Sequence, residues 1–192
     1  MSATSRGFRS GDTDDVLGTA RGDATVPRYS ALHRIVATRR HAAGTVARLT
    51  LGMIMFPHAA QKVFGWFGGY GFQGTYGAFT TGMGMPGVLA VAAIITELVA
   101  SVMLIFGALT RVGAVGIMAI MVGAIVLVHA PNGFFMNWFG SQAGEGFEYH
   151  LLAIGLAVVT AILGGGAASV DRILMKRRPA EGGSVGEPVT RD

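Results

Sequence analysis

The sequence predicts an all-α membrane protein, a four-transmembrane-helix bundle with glycine- and aromatic-rich outer connections. Three observations carry this. Mean hydropathy over the 192 residues is +0.51 and only 14% of them are charged, which is too apolar for an ordinary soluble chain of this length. Four apolar runs recur, each near the roughly 20 residues that a helix needs to cross a ~30 Å hydrocarbon core. Outside the apolar runs, Lys and Arg occur only in alternate connections and the chain ends, the pattern of a chain that crosses a bilayer repeatedly. Short of a closed barrel, helices alone satisfy every backbone N–H and C=O inside such a core.

Taken in order, residues 1–26 mix Ser, Thr, Gly, Asp and Arg without periodicity and read as a disordered tail. The first apolar run comes too late in the chain for a signal peptide. Residues 27–45 form a basic juxtamembrane segment with Arg28, Arg34, Arg39 and Arg40 and no acidic residue. Either a short interfacial helix or a basic linker lying on anionic headgroups fits it. Residues 46–171 hold the membrane domain, with spans expected at 46–64, 88–109, 112–130 and 149–166. Residues 172–192, opening with Arg172, Lys176, Arg177 and Arg178, read as a basic, disordered cytoplasmic tail. The connections 65–87 and 131–147 contain no Lys or Arg, so the positive-inside rule puts both termini in the cytoplasm and these two connections outside.

The outer connections interleave glycine with Trp66, Phe67, Tyr70, Phe72, Tyr76 and Phe79 in the first, and Phe134, Phe135, Trp138 and Phe139 in the second. An aromatic belt at headgroup level explains the rings. Re-entrant caps over the bundle mouth explain the glycines as well, and both readings stay open.

The absence of cysteine excludes disulfides, a thiol nucleophile, thiolate-held iron–sulfur clusters and CxxC exchange within the chain. No serine sits in a nucleophile elbow, and no glycine-rich loop follows a strand to cradle a phosphate. Histidines and carboxylates are present without a metal-binding spacing, so no metal site is assigned. The net charge of +4 resides at the chain ends and speaks for membrane orientation rather than nucleic acid.

What remains is a set of ionisable residues at membrane depth, where such groups are costly and usually face a bundle interior or wet cavity. His58 and Lys62 stand four apart and share a helix face, with Gln61 beside them. Pro57 has no amide proton, so the Met53 carbonyl loses its helical partner just before His58. Glu97 follows Pro86 by enough residues to lie roughly 16 Å below the outer end of its helix, while His58 lies about 10 Å down and Lys62 a turn higher. Ala93, Ala100 and Ser101 around Glu97 are small enough for another helix to approach. Glu97 is therefore expected to meet the His58/Lys62 face. His129 closes the third span and Glu148 and His150 open the fourth, so these groups converge on the outer half. Such a set can carry protons, hold a polar headgroup or glue helices together.

The runs HAAQKVFGWFGGYGFQGT, TELVAS around Glu97, GALTR, VHAPNGFFMNW and EGFEYHLL, with Pro86 between the first two, resemble the DoxX family of small four-helix membrane proteins over about Ala47–Asp171. The chain departs from the usual pattern at Ala59, and at Val99 and Ala100, where the family commonly has glycine. The resemblance implies a multi-pass protein of the bacterial plasma (inner) membrane. It also implies kinship with subunits of thiosulfate:quinone oxidoreductase and with membrane partners of a sulfurtransferase and a superoxide dismutase. It assigns His58, Lys62, Glu97, His129 and Glu148 to polar motif positions.

Two functional readings follow. In the first the chain is a quinone-linked oxidoreductase component. His58, Lys62 and Glu97 then handle protons, and His129, Glu148, Trp66 and Gln61 surround the quinone headgroup. Lacking its own redox cofactor motif, the chain would work with a soluble redox or sulfurtransferase partner. In the second it is a non-catalytic membrane anchor or scaffold for such enzymes. Beyond the lipid bilayer, a homo-oligomer is the other partnership left open.

Overall fold

The structure, a computed structural model, describes residues 42–176. All regular structure among them is helical. Helix α1 spans Ala42–Phe64, a single 3-10 turn covers Trp66–Gly68, and α2 spans Gly71–Gly77 before a π turn at Ala78–Gly82. Helix α3 spans Gly87–Phe106 and α4 spans Thr110–Ala124. A π turn at Ile125–His129 and a 3-10 turn at Ala130–Asn132 prolong α4. Helices α5 and α6 span Glu148–Leu163 and Val170–Lys176.

The four long helices pack in a ring in which α1 touches α3 and α5, and α4 touches the same two from the other side. Leu51 and Met55 of α1, Leu104 of α3, Ile117 and Met121 of α4 and Ala157 of α5 fill the centre. Outward faces carry exposed Met53, Val88, Val115 and Leu152, as lipid-facing helices do. Two helical runs, Gly87–Phe106 and Thr110–Asn132, are long and apolar enough to cross a membrane. Helix α1 is as long, but Arg48, His58 and Lys62 lower its hydropathy, and α5 is shorter.

Several boundaries differ from those read off the sequence. Helix α1 already includes Ala42–Thr45, ahead of the expected Val46. Helix α3 stops at Phe106, since Gly107 takes a left-handed conformation with φ 67°. Helix α5 stops at Leu163, and the glycines expected inside the fourth span form the turn after it. The first connection is partly helical through α2. Residues 172–176, expected to begin the tail, belong to α6, which packs back against the bundle. The tail at 1–26, the basic segment up to residue 41 and residues 177–192 lie outside the described residues.

Why α6 packs back is visible at the end of the bundle that holds the α3–α4 turn. The last carbonyls of a helix have no partner within it. Arg48 is 1% exposed and supplies partners. Its Nη1 donates to the Leu104 and Ile105 carbonyls at 2.6 and 2.7 Å, its Nε donates to Gly165 at 3.0 Å, and its Nη2 donates to Ala168. A cation at a helix C-terminus also meets the negative end of the helix dipole. Asp171, equally buried, does the converse for α4. Its carboxylate accepts the Leu109 and Thr110 amides at 2.7 and 2.9 Å, and its own amide donates to Gly107 at 2.9 Å. Leu109 is held at φ 49°, an uncommon conformation for a non-glycine residue. A β-carbon on Gly107 would lie 2.9 Å from the Arg48 guanidinium carbon and 2.6 Å from Ser169 Cβ, so glycine alone fits there.

Asp171→Ala is expected to lower stability by about 1–3 kcal/mol, because two amides at the α4 start lose their acceptor inside the protein. Asp171→Asn, which keeps one acceptor oxygen, should lose less. Unfolding of the full chain in detergent, followed by circular dichroism, measures both.

Candidate functional site

The opposite end of the bundle carries the site. Gly52 of α1 sits against α3 so closely that a β-carbon there would lie 3.0 Å from Ile105 and Leu104. From this contact the two helices run antiparallel, and at ~1.5 Å per residue Lys62 and Glu97 reach similar heights. Lys62 Nζ donates to both carboxylate oxygens of Glu97, at 2.7 and 2.8 Å. The Glu97 side chain is 3% exposed and that of Lys62 29%. The carboxylate is therefore sealed between helices while the ammonium faces open space.

That space is a cavity of about 710 Å³ lined by all four long helices. Lys62 and Glu97 occupy one wall with His58, which shares the Lys62 face of α1. Tyr149 continues the polar belt, its ring 6.1 Å from His58 and 5.6 Å from His150. His150 in turn lies 4.1 Å, ring to ring, from His129. His129 Nδ1 donates to the Glu145 carbonyl at 2.8 Å, which leaves Nε2 as acceptor in the neutral ring. The rest of the wall is apolar, with Met55, Met121, Leu89 and Leu127 among its residues.

Two polar atoms of this belt, the Tyr149 hydroxyl and His150 Nδ1, are buried without a hydrogen-bond partner in the protein. Such atoms are uncommon in folded interiors and call for a specific explanation, such as a bound molecule. Volume, apolar wall and a few convergent polar groups match the usual build of a small-molecule site. Among the described residues, no group of three or more His, Asp or Glu side chains is placed to hold a metal ion.

Of the residues singled out in the sequence, His58, Lys62, Glu97 and His129 line this cavity. Glu148 does not. As the first residue of α5 it turns toward the second connection, where Oε1 accepts the Met136 amide at 3.0 Å and the Trp138 indole N–H at 2.9 Å. Gln61 is one residue, and so about 100° of helix, away from Lys62, and it donates only to the Phe67 carbonyl at 3.3 Å. Trp66 lies beyond the left-handed Gly65, exposed, with its ring 5.0 Å from Phe64. These three lie off the cavity wall, whereas Tyr149 and His150 line it. The signal was the run Glu148-Tyr149-His150, where the tyrosine reads equally as an interfacial aromatic.

In comparison with known protein families, the DoxX model matches residues 43–130. That stretch contains His58, Lys62, Glu97 and His129 and stops short of Tyr149 and His150. No curated protein and no solved structure matches the chain.

Removing one member of a buried ion pair strands the other, whereas removing both does not. Lys62→Met and Glu97→Gln should each destabilise the bundle, and the double variant should lose less than the sum by about 0.5–3 kcal/mol. Reversible unfolding in mixed micelles gives the three values. Strict additivity would mean the contact carries no coupling.

Proposed function

We propose, from the match of residues 43–130 to the DoxX family model, that the chain is a DoxX-family, redox-associated membrane subunit whose cavity receives a quinone headgroup. The single observation that carries the reading is the polar belt in an otherwise apolar cavity: Lys62–Glu97 and His58 on one side, Tyr149, His150 and His129 on the other. A quinone ring has two oxygens on opposite edges, and the belt offers several groups that hydrogen-bond oxygen. Reduction of a quinone to the quinol takes up two electrons and two protons. The chain's own residues would hold the ring and move protons, with Lys62 donating toward one oxygen and the histidines serving the other. The electrons would come from a soluble redox partner, since the chain has no cysteine and so holds no thiolate cluster.

In this reading all four long helices cross the plasma membrane, with both termini cytoplasmic and the cavity in the outer half. The charge distribution supports that orientation, because the connections at the cavity end contain no Lys or Arg. The short α5 suits a helix whose first turn sits under the second connection. The competing reading, a non-catalytic scaffold, draws support from the saturation of both Glu97 oxygens by Lys62. In that case the pair is glue between α1 and α3.

Glu97→Gln separates the two. It keeps shape and hydrogen bonding but removes the titratable carboxylate. Quinone-linked turnover of the native assembly, scored per folded protein in the membrane because the variant is also destabilised, should fall by about 10² or more, the usual worth of a positioned proton-transfer group. Normal turnover at normal level would favour the scaffold.

Orientation has its own check in a chain free of native cysteine. Gly74→Cys and Ser141→Cys should react with an impermeant thiol reagent added outside sealed cells, and Lys176→Cys should not. Reaction at Lys176→Cys would reverse the topology.

A further inference from the structure

The route into the cavity can be read from how α3 and α4 separate along their length, and this inference rests on the headgroup reading above. Near the α3–α4 turn the two helices are in close contact. A β-carbon on Gly113 would lie 3.2 Å from the Ala100 carbonyl oxygen, and one on Gly116 would lie 3.2 Å from Thr96 Cγ2. Small residues at such positions let helix backbones approach. Two turns further along, a β-carbon on Gly123 would meet nothing within 4 Å, although Gly123 lines the cavity. The helices that touch at Gly113 and Gly116 have parted by Gly123. The π turn that follows at Ile125–His129 is a wider helical turn at the place where they diverge.

The parted ends carry Leu89 on α3 and Leu127 on α4. Both line the cavity and both are largely exposed, at 57% and 55%. The cavity therefore reaches the outer surface of the bundle between them. These are also the two helices long and apolar enough to cross a membrane, so the gap faces hydrocarbon. The axial end of the cavity is lined instead by the two connections, through Met85 and Met136.

We propose that the gap between α3 and α4 is a lateral portal. Through it a lipid-dissolved molecule with a hydrogen-bonding head and one long hydrocarbon tail brings its head to Lys62 and His150 while the tail stays between Leu89 and Leu127. A tail left in the bilayer loses no apolar contact, whereas a route through water exposes every methylene. The portal selects for tailed ligands by geometry alone.

The test uses the full-length, cysteine-free chain in proteoliposomes with Ala93→Cys, a position on the α3 side of the cavity wall. A long-chain alkyl maleimide dissolved in the bilayer should label it at least about tenfold faster than a sulfonated maleimide in water, the mark of a lower barrier from the lipid side. Adding Gly123→Trp should slow the alkyl reagent about tenfold, and Gly123→Ala should leave it unchanged, since its β-carbon enters open space. Gly123→Leu carries the same comparison if the tryptophan variant does not fold. An excess of a long-tailed benzoquinone should protect the cysteine. Equal labelling from water, or labelling indifferent to Gly123→Trp, overturns the portal. Protection by a lysophospholipid as strong as by the quinone identifies an ordinary lipid chain and overturns the assigned ligand. If the quinone neither protects nor binds while Gly123→Trp still blocks labelling, the headgroup reading fails and the portal stands.

Discussion

A charge inside an apolar bundle must find its counterpart inside the bundle, and the arrangement of this protein follows from where it does so. At one end Arg48 is satisfied by backbone carbonyls at the close of α3 and in the turn after α5. Asp171 is satisfied by the amides that open α4. Both use helix ends, where unpaired backbone groups and the helix dipole favour that sign of charge. The result ties α1, α3, α4, α5 and α6 at a single knot, and it leaves neither charge for chemistry. At the other end Glu97 is satisfied by a side chain, Lys62, and that pair borders a cavity. The same electrostatic requirement yields a clamp in one place and a candidate site in the other.

The clamp and the cavity are mechanically related. Close packing of α1 on α3 at Gly52, and of α3 on α4 at Gly113 and Gly116, holds the helices together near the clamp. Beyond these contacts the same helices have room to diverge, and the space between them is what the His58, Lys62, Glu97, Tyr149, His150 and His129 belt encloses. Polar contacts between membrane helices are individually weak, about 0.6 kcal/mol on average. A knot of several contacts at one end is thus a sound way to leave the other end open.

Much of this was legible in the sequence, and the failures have physical causes. The helical nature and the order of the long helices followed from apolar run length, because a bilayer leaves the backbone few alternatives. The Lys62–Glu97 contact followed from two ionisable residues at matching depth on successive helices. The direction of Glu148 was not legible, because depth alone does not say which way a first-turn carboxylate points, and here it caps the second connection. Gln61 and Trp66 lie off the cavity wall for a similar reason: nearness in sequence to Lys62 does not put a side chain on its face. The role of Arg48 was not legible, since the carbonyls that satisfy it come from positions 104, 105, 165 and 168, which no local pattern reveals. Helix α6 was read as tail because its anchor is Asp171, a single acidic residue whose partners lie at the α3–α4 turn. Tyr149 was hidden among many aromatics.

The cavity bordered by the Lys62–Glu97 pair and the His129–His150 pair is the proposed seat of a quinone headgroup. Its most direct test is the content of the protein drawn from its own membrane. Full-length protein extracted with surrounding lipid, washed, and analysed by solvent extraction and mass spectrometry should retain quinone in stoichiometric amount. A saturable site should reappear when quinone is returned to stripped protein. Protein that retains no quinone above the level of bulk lipid, and shows no saturable binding on titration, would contradict the account.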